Sequence, residues 1–210
     1  MPRNRLPLVA LVLLMLATPA VHAGFDQATA AFDKGDYATA LRELKPLAEK
    51  GDARSQYAMG VMAENGFGMP KNLAEAASWY RKAAEQGNAD AEYNLGAMYE
   101  HGIGMPVNHV EAARWYRPAA EAGDIDALSN LGVLYETGRG VRQDKVLALT
   151  LYNLSVAFDS NKQGQAARNG RGLVGRMTVE EVNAAMALTR DLLKPGQLKP
   201  GLQAQWKRAK

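Results

Sequence analysis

The chain contains no cysteine. Disulfides, thiolate zinc sites, a cysteine nucleophile and a lipid anchor on cysteine are therefore excluded. Long apolar runs are scarce as well. The one that stands out, Leu6 to Leu16, falls short of the roughly 20 residues needed to span a bilayer. Histidine occurs 3 times in 210 residues, too thinly for a histidine-based metal site without other ligands in pattern. Alternating β-branched runs are missing, so no strand is expected. No G-x-S-x-G occurs, which removes the common serine-nucleophile signature.

The first residues read as a leader rather than as structure. Arg3 and Arg5 precede the apolar run, and Val21-His22-Ala23 offers small residues where a signal peptidase cuts. Cleavage is expected between Ala23 and Gly24, giving a periplasmic or secreted protein with no transmembrane anchor after cleavage. Removing 1–23 takes two arginines, so Lys+Arg falls from 25 to 23 against 22 Asp+Glu, a net charge of +1. That balance gives no argument for nucleic acid as a partner.

What the remainder has is repetition. Gly60, Gly96 and Gly132 stand 36 residues apart, and the same step relates Gly66, Gly102 and Gly138, then Gly68, Gly104 and Gly140. Ala76, Ala112 and Ala148 keep it, as do Tyr80, Tyr116 and Tyr152; Trp79 and Trp115 match, with Leu151 in the third copy. Asp52, Asn88 and Asp124 each follow a glycine and suit the cap of a first helix. In the second unit Ala91, Leu95 and Tyr99 share one face at helical spacing. A Gly-x-Gly loop follows and ends at Asn72, Asn108 or Asp144, the cap of a second helix. Glu75 and Glu111, three residues on, complete an expected capping box in two units. Two helices per unit cannot bury both apolar faces alone, whereas stacked units share a continuous core.

The strings ARSQYAMGVMAENGFGMPKNLAEAASWYRKAAEQG and AEYNLGAMYEHGIGMPVNHVEAARWYRPAAEAG resemble Sel1-like repeats, relatives of the tetratricopeptide repeat. The resemblance implies an all-α fold, a right-handed α-α solenoid of helix-turn-helix repeats. It covers Ala53 to about Ala157, with Ala28 to Gly51 as a degenerate first unit, so the repeat region is 24–157. Leu151 and Asp159 depart from the pattern in the third copy, and Pro118 is expected to remove a backbone bond and bend its helix.

After Ala157 the repeat fades. Residues 158–193 read as capping helices: a short helix around Gln165, then a capping box at Thr178 and Glu181 opening a helix whose apolar face is Val182, Ala185, Met186 and Leu193, interrupted by Thr189. Residues 194–210 carry two prolines, five Lys or Arg and no acid, and read as a basic flexible tail.

Gly170, Gly172 and Gly175 spell G-x-G-x-x-G, but no strand precedes them, so nucleotide binding is not expected. His101 and His109 lie at neighbouring helix ends, both facing solvent, with no third ligand. Neither a cofactor nor a metal site is expected. The Trp-Tyr pairs recur with the repeat and read as core packing. In tetratricopeptide-like stacks the first helices line the concave face. On that face the 36-residue step carries Tyr93 and Glu100 to Tyr57 and Glu64, and to Ser129 and Glu136. These six residues are the candidate partner-binding row. Each glutamate sits near a helix carboxy-terminus, against the dipole. Either a cation in an adjacent unit compensates it, or the row is a groove for a peptide with basic and apolar positions. The resemblance implies a non-catalytic scaffold for protein partners in the cell envelope. The alternatives are a carbohydrate or cell-wall polymer binder and, last, an envelope hydrolase like those proposed for cysteine-rich relatives.

Overall fold

The structure, a computed structural model, describes residues 19–159 and 164–208. Most of the expected leader, residues 1–18, lies outside the described residues. Among the described residues there are only helices and no strand: α1 (Pro19–Asp33), α2 (Tyr37–Glu49), α3 (Ala53–Asn65), α4 (Leu73–Ala84), α5 (Ala89–His101), α6 (His109–Glu121), α7 (Ile125–Thr137), α8 (Lys145–Phe158), α9 (Gln165–Val174), α10 (Val179–Leu192) and α11 (Leu198–Arg208). Each helix through α8 packs on the next, so the chain is an α-α solenoid with α1–α2 as a full, if divergent, first unit.

The caps are where the sequence places them. Asp52, Asn88 and Asp124 accept from the backbone N–H groups of Ser55, Ala91 and Ala127 at 2.8, 2.9 and 2.6 Å. Asn72, Asn108 and Asp144 cap the second helices in the same way. The expected capping boxes at Glu75 and Glu111 are only half made. The backbone N–H groups of Asn72 and Asn108 donate instead to the carbonyls of Ala63 and Tyr99, both at 2.8 Å. With that donor committed to the preceding helix, the glutamates turn elsewhere: Glu75 accepts from the Trp79 indole, and Glu111 pairs with Arg114.

Two glycine positions fix the geometry. A Cβ at Gly60, Gly96 or Gly132 would lie 2.5–2.6 Å from the ring of Tyr80, Tyr116 or Tyr152, so the second helix of each unit lays its tyrosine directly on first-helix backbone. In the Gly-x-Gly turn both glycines have positive φ, between 68° and 77°, where other residues are strained. The second of them abuts the first residue of the preceding unit's second helix: Gly68 meets Tyr37, Gly104 meets Leu73 and Gly140 meets His109. Each turn is therefore also a stacking contact between units.

Pro118 does not end its helix. Helix α6 continues to Glu121, and Pro46 occupies the same register in α2. Only the last turn is affected, where the missing N–H leaves the Arg114 carbonyl without its usual donor.

The carboxy-terminal third departs from expectation in two ways, on the face of α10 and in the residues after it. Gly170 and Gly172 lie inside α9 and Gly175 caps it, so the glycine pattern forms a helix rather than a phosphate loop. On α10 the buried face is Ala185, Thr189 and Leu192, while Met186 and Leu193 are 52% and 43% exposed. Thr189 sits on that face because its hydroxyl donates to the Ala185 carbonyl at 2.8 Å, which removes the cost of burying it. Of the expected tail 194–210, the described residues 194–208 are not a flexible segment, and 209–210 lie outside the described residues. Leu198–Arg208 is helical, and it docks because Leu202 and Trp206 bury themselves against the repeats.

Candidate functional site: the first-helix face

Helices α1, α3, α5 and α7 present one face of the stack. The second-helix tyrosines are fully buried beneath it, and each donates its hydroxyl to the glutamate of its own unit. Tyr80 reaches Glu64 at 2.7 Å, Tyr116 reaches Glu100 at 2.9 Å and Tyr152 reaches Glu136 at 2.6 Å. Asn130 of the next first helix donates to the Tyr116 hydroxyl at 3.2 Å. Arg139 lies 3.9 Å from Glu100, and Arg176 pairs with Glu136. Burial, with the adjacent carboxylates, pushes all three tyrosine hydroxyls far above their ordinary pKa. They therefore remain proton donors at any physiological pH.

The candidate row divides accordingly. Glu64, Glu100 and Glu136 are held by tyrosine hydroxyls, and Glu100 is only 8% exposed. They are internal anchors, not a free acidic stripe. Part of the compensation for the helix dipole comes from arginines of the following units, as the ion-pair alternative expects, but the main partner is the tyrosine that sequence reasoning assigned only to packing. Ser129 is buried. Tyr57 and Tyr93 lie half-buried at the surface, each tilted over the tyrosine beneath with ring centroids 5.8 Å apart. Burial, followed by the nearby aspartates, raises both of their pKa values.

Tyr57 also lines a cavity of about 420 Å³ between α1, α3 and the start of α5. Phe25, Ala28 and Phe32 of α1 form one wall; Ala58 and Val61 of α3 form the other. The rim is polar, with Arg54, Asn88 and Asp90. The Arg54 guanidinium sits 4.5 Å from the centre of the Phe25 ring and 4.0 Å from the Asp52 carboxylate, contacts that together hold it over the pocket. An apolar floor with a few convergent polar groups, in this size range, suits one large side chain of a peptide. Sequence reasoning missed Phe25, Phe32 and Arg54. The spacing of Phe25, Ala28 and Phe32 at i, i+3 and i+7 was the available signal, obscured because α1 carries little of the repeat.

The Trp-Tyr pairs of the repeat offer little to a stacked sugar. Tyr80 and Tyr116 are fully buried, and Trp79 and Trp115 half-buried. Lys82 covers the Trp79 ring at 4.0 Å. His101 is exposed, but His109 is half-buried against the Gly140 turn, contrary to expectation.

Comparison with known proteins agrees with this architecture. Among solved structures, the chain is similar to a Sel1 repeat protein from Oxalobacter formigenes, with a TM-score of 0.65 and 26% identity, covering 93% of this chain and 92% of that one. It is also similar to c5321, described as a protective antigen of uropathogenic Escherichia coli with an SLR fold, with a TM-score of 0.72 and 26% identity, covering 90% of this chain but only 41% of that one. A stretch of 39 residues is 49% identical to chitin synthase regulator SKT5 of Malassezia restricta, spanning 19% of this chain and 3% of that protein. The Sel1 repeat pattern matches residues 53–88, 89–124 and 125–157, which together make half of the chain. These are the three regular units built from α3 to α8, and the chain belongs to the Sel1 repeat family.

Proposed function

We propose that this protein is a non-catalytic scaffold that holds a partner protein on its first-helix face, with one large apolar side chain of the partner seated in the pocket beside Tyr57. Sel1 repeats generally mediate protein–protein interactions. The observation that carries the reading is the pocket itself: Phe25, Phe32 and Val61 face open space, and Arg54, held 4.0 Å from Asp52, stands at the rim. The deeper carboxylates of this face are occupied internally, so recognition falls to the surface tyrosines and the pocket rather than to the glutamates.

The working location is the periplasm or the exterior, reached through the leader ending at Ala23. Helix α1 begins at Pro19, so cleavage there leaves Gly24 to Asp33 as its remaining turns, with Phe25, Ala28 and Phe32 retained in the pocket wall. Amino-terminal sequencing of protein recovered from the periplasm is expected to start at Gly24; cytoplasmic protein starting at Met1 would refute export.

Substituting Val61→Arg fills the pocket with a charged side chain. Partner capture from an envelope extract is expected to fall at least tenfold while the thermal midpoint stays close to that of the parent. Undiminished capture by a folded Val61→Arg protein would remove the pocket from the interface.

A further inference from the structure

The repeat lets two surfaces be compared residue for residue. At the α6–α7 junction, Arg117 Nη2 donates to the Tyr135 hydroxyl at 3.1 Å, and Glu121 stands at the end of α6. Helix α11 is seated on this group. Trp206 stacks on Tyr135 with ring centroids 6.0 Å apart and planes 7° off parallel. The Trp206 indole N–H and the Gln203 amide both donate to the Glu121 carboxylate, at 2.9 and 2.8 Å. The Arg117 guanidinium lies 5.6 Å from the Trp206 ring centre.

One unit earlier the same three residue types recur in the same places. Arg81 Nη2 donates to the Tyr99 hydroxyl at 2.5 Å, and Glu85 caps the end of α4. Nothing among the described residues covers them as α11 covers Arg117, Glu121 and Tyr135. Arg81 and Glu85 are exposed and Tyr99 is half-buried, whereas Arg117 and Glu121 are half-buried and Tyr135 is fully buried under α11. The trio occurs at no other junction. The positions 36 residues before Arg81, Glu85 and Tyr99 are Lys45, Glu49 and Ala63, and those after Arg117, Glu121 and Tyr135 are Asn153, Ala157 and Arg171.

We infer that the α4–α5 junction is a second, open seat for a helix with the chemistry of α11, supplied by a partner protein. Its occupant presents an indole and, three residues before it, a side-chain amide to Glu85, with the indole face laid on Tyr99. Basic flanks suit it, because α11, which fills the equivalent seat, carries Lys199, Lys207 and Arg208 and no acid. The chain's own α11 is already seated one junction away, so it is not the ligand. The seat shares no residue with the pocket beside Tyr57, and it stands whether or not that pocket binds anything.

The test uses the full chain and a labelled synthetic peptide with the sequence of residues 194–210. Fluorescence anisotropy is expected to show saturable binding of one peptide per chain. Affinity should fall at least tenfold for Tyr99→Ala and for Glu85→Lys at an exposed position, and equally for a peptide carrying Trp206→Ala. Glu85→Lys is a surface change that leaves the core intact, so failure of Tyr99→Ala to fold does not decide the result. Absence of saturable binding overturns the inference. So does binding insensitive to Glu85→Lys, or binding lost in Tyr135→Ala instead, which would mean exchange with the native α11. A dimer of the full chain that Glu85→Lys dissociates would also overturn it, replacing the partner with a second copy.

Discussion

The three regular repeats and the segment after them solve the same problem in different ways. From α3 to α8 each contact is made three times: glycine under tyrosine, tyrosine to glutamate, turn glycine against the preceding unit. From α9 onward every contact is made once. Helices α9 and α10 both pack against α8 rather than forming another repeat pair, and α11 folds back onto α6 and α7. The difference teaches that a repeat array stops by covering its last face with whatever the chain provides, while its middle depends on a few residue types that cannot vary.

The largest test of that contrast is Gly140→Ala. It forces positive φ on alanine and drives a Cβ into the His109 backbone, so a loss of roughly 3 kcal/mol or more is expected in chemical denaturation. A loss below about 1 kcal/mol would show that the turn is not a stacking contact. Trp206→Ala should cost about 3 kcal/mol, confined to the docking of α11. Hydrogen exchange is the measurement: protection should vanish over 198–208 and persist in α7. Loss of protection in both would make the two regions one cooperative unit.

Glu92 sits between the regions. It is 6% exposed, and burial, then the charge of Glu121, pushes its pKa up to about 7, against a smaller opposing effect of Lys199. A carboxyl raised in this way stabilises the fold when protonated. That contribution is complete below its unfolded value, near 4.5, and is lost as pH rises through 7. Glu92→Gln is therefore expected to stabilise the protein by roughly 2 kcal/mol above pH 7 and to change little at pH 4. Equal melting shifts at both pH values would contradict this. Tyr116→Phe removes the hydroxyl shared by Glu100 and Asn130 and should cost roughly 1–2 kcal/mol; a neutral substitution would mean that Arg139 alone suffices for Glu100. Smallest is Gly172→Ala, on the exposed side of α9 with nothing near its Cβ, which should stabilise by up to about 1 kcal/mol. Destabilisation there would place α9 under the same close-packing rule as the repeats.

The regular units were legible because glycine, tyrosine and the cap residues each have one physical use, and three copies expose it. The glutamate row was found but misread in part. Periodicity located Glu64, Glu100 and Glu136 without indicating that Tyr80, Tyr116 and Tyr152 point their hydroxyls at them. The pocket stayed hidden because Phe25 and Phe32 lie in a unit that keeps the register at Ala40, Ala48 and Gly51 but not in its first helix. The tail was misjudged on composition: Pro195, Pro200 and five cations outweighed Leu202 and Trp206, which lie four residues apart on one helical face. Pro200 is tolerated because it falls in the first turn of α11, where no backbone donor is needed.

The most direct test of the scaffold reading is site-specific photo-crosslinking in cells, with p-benzoylphenylalanine at Tyr57 beside the pocket or at the exposed Asn183 of α10, which belongs to neither the pocket nor the α4–α5 seat. A discrete protein adduct from position 57, absent from position 183 and abolished by Val61→Arg, is the expected result. An adduct from position 183 with none from position 57 would contradict partner binding on the first-helix face.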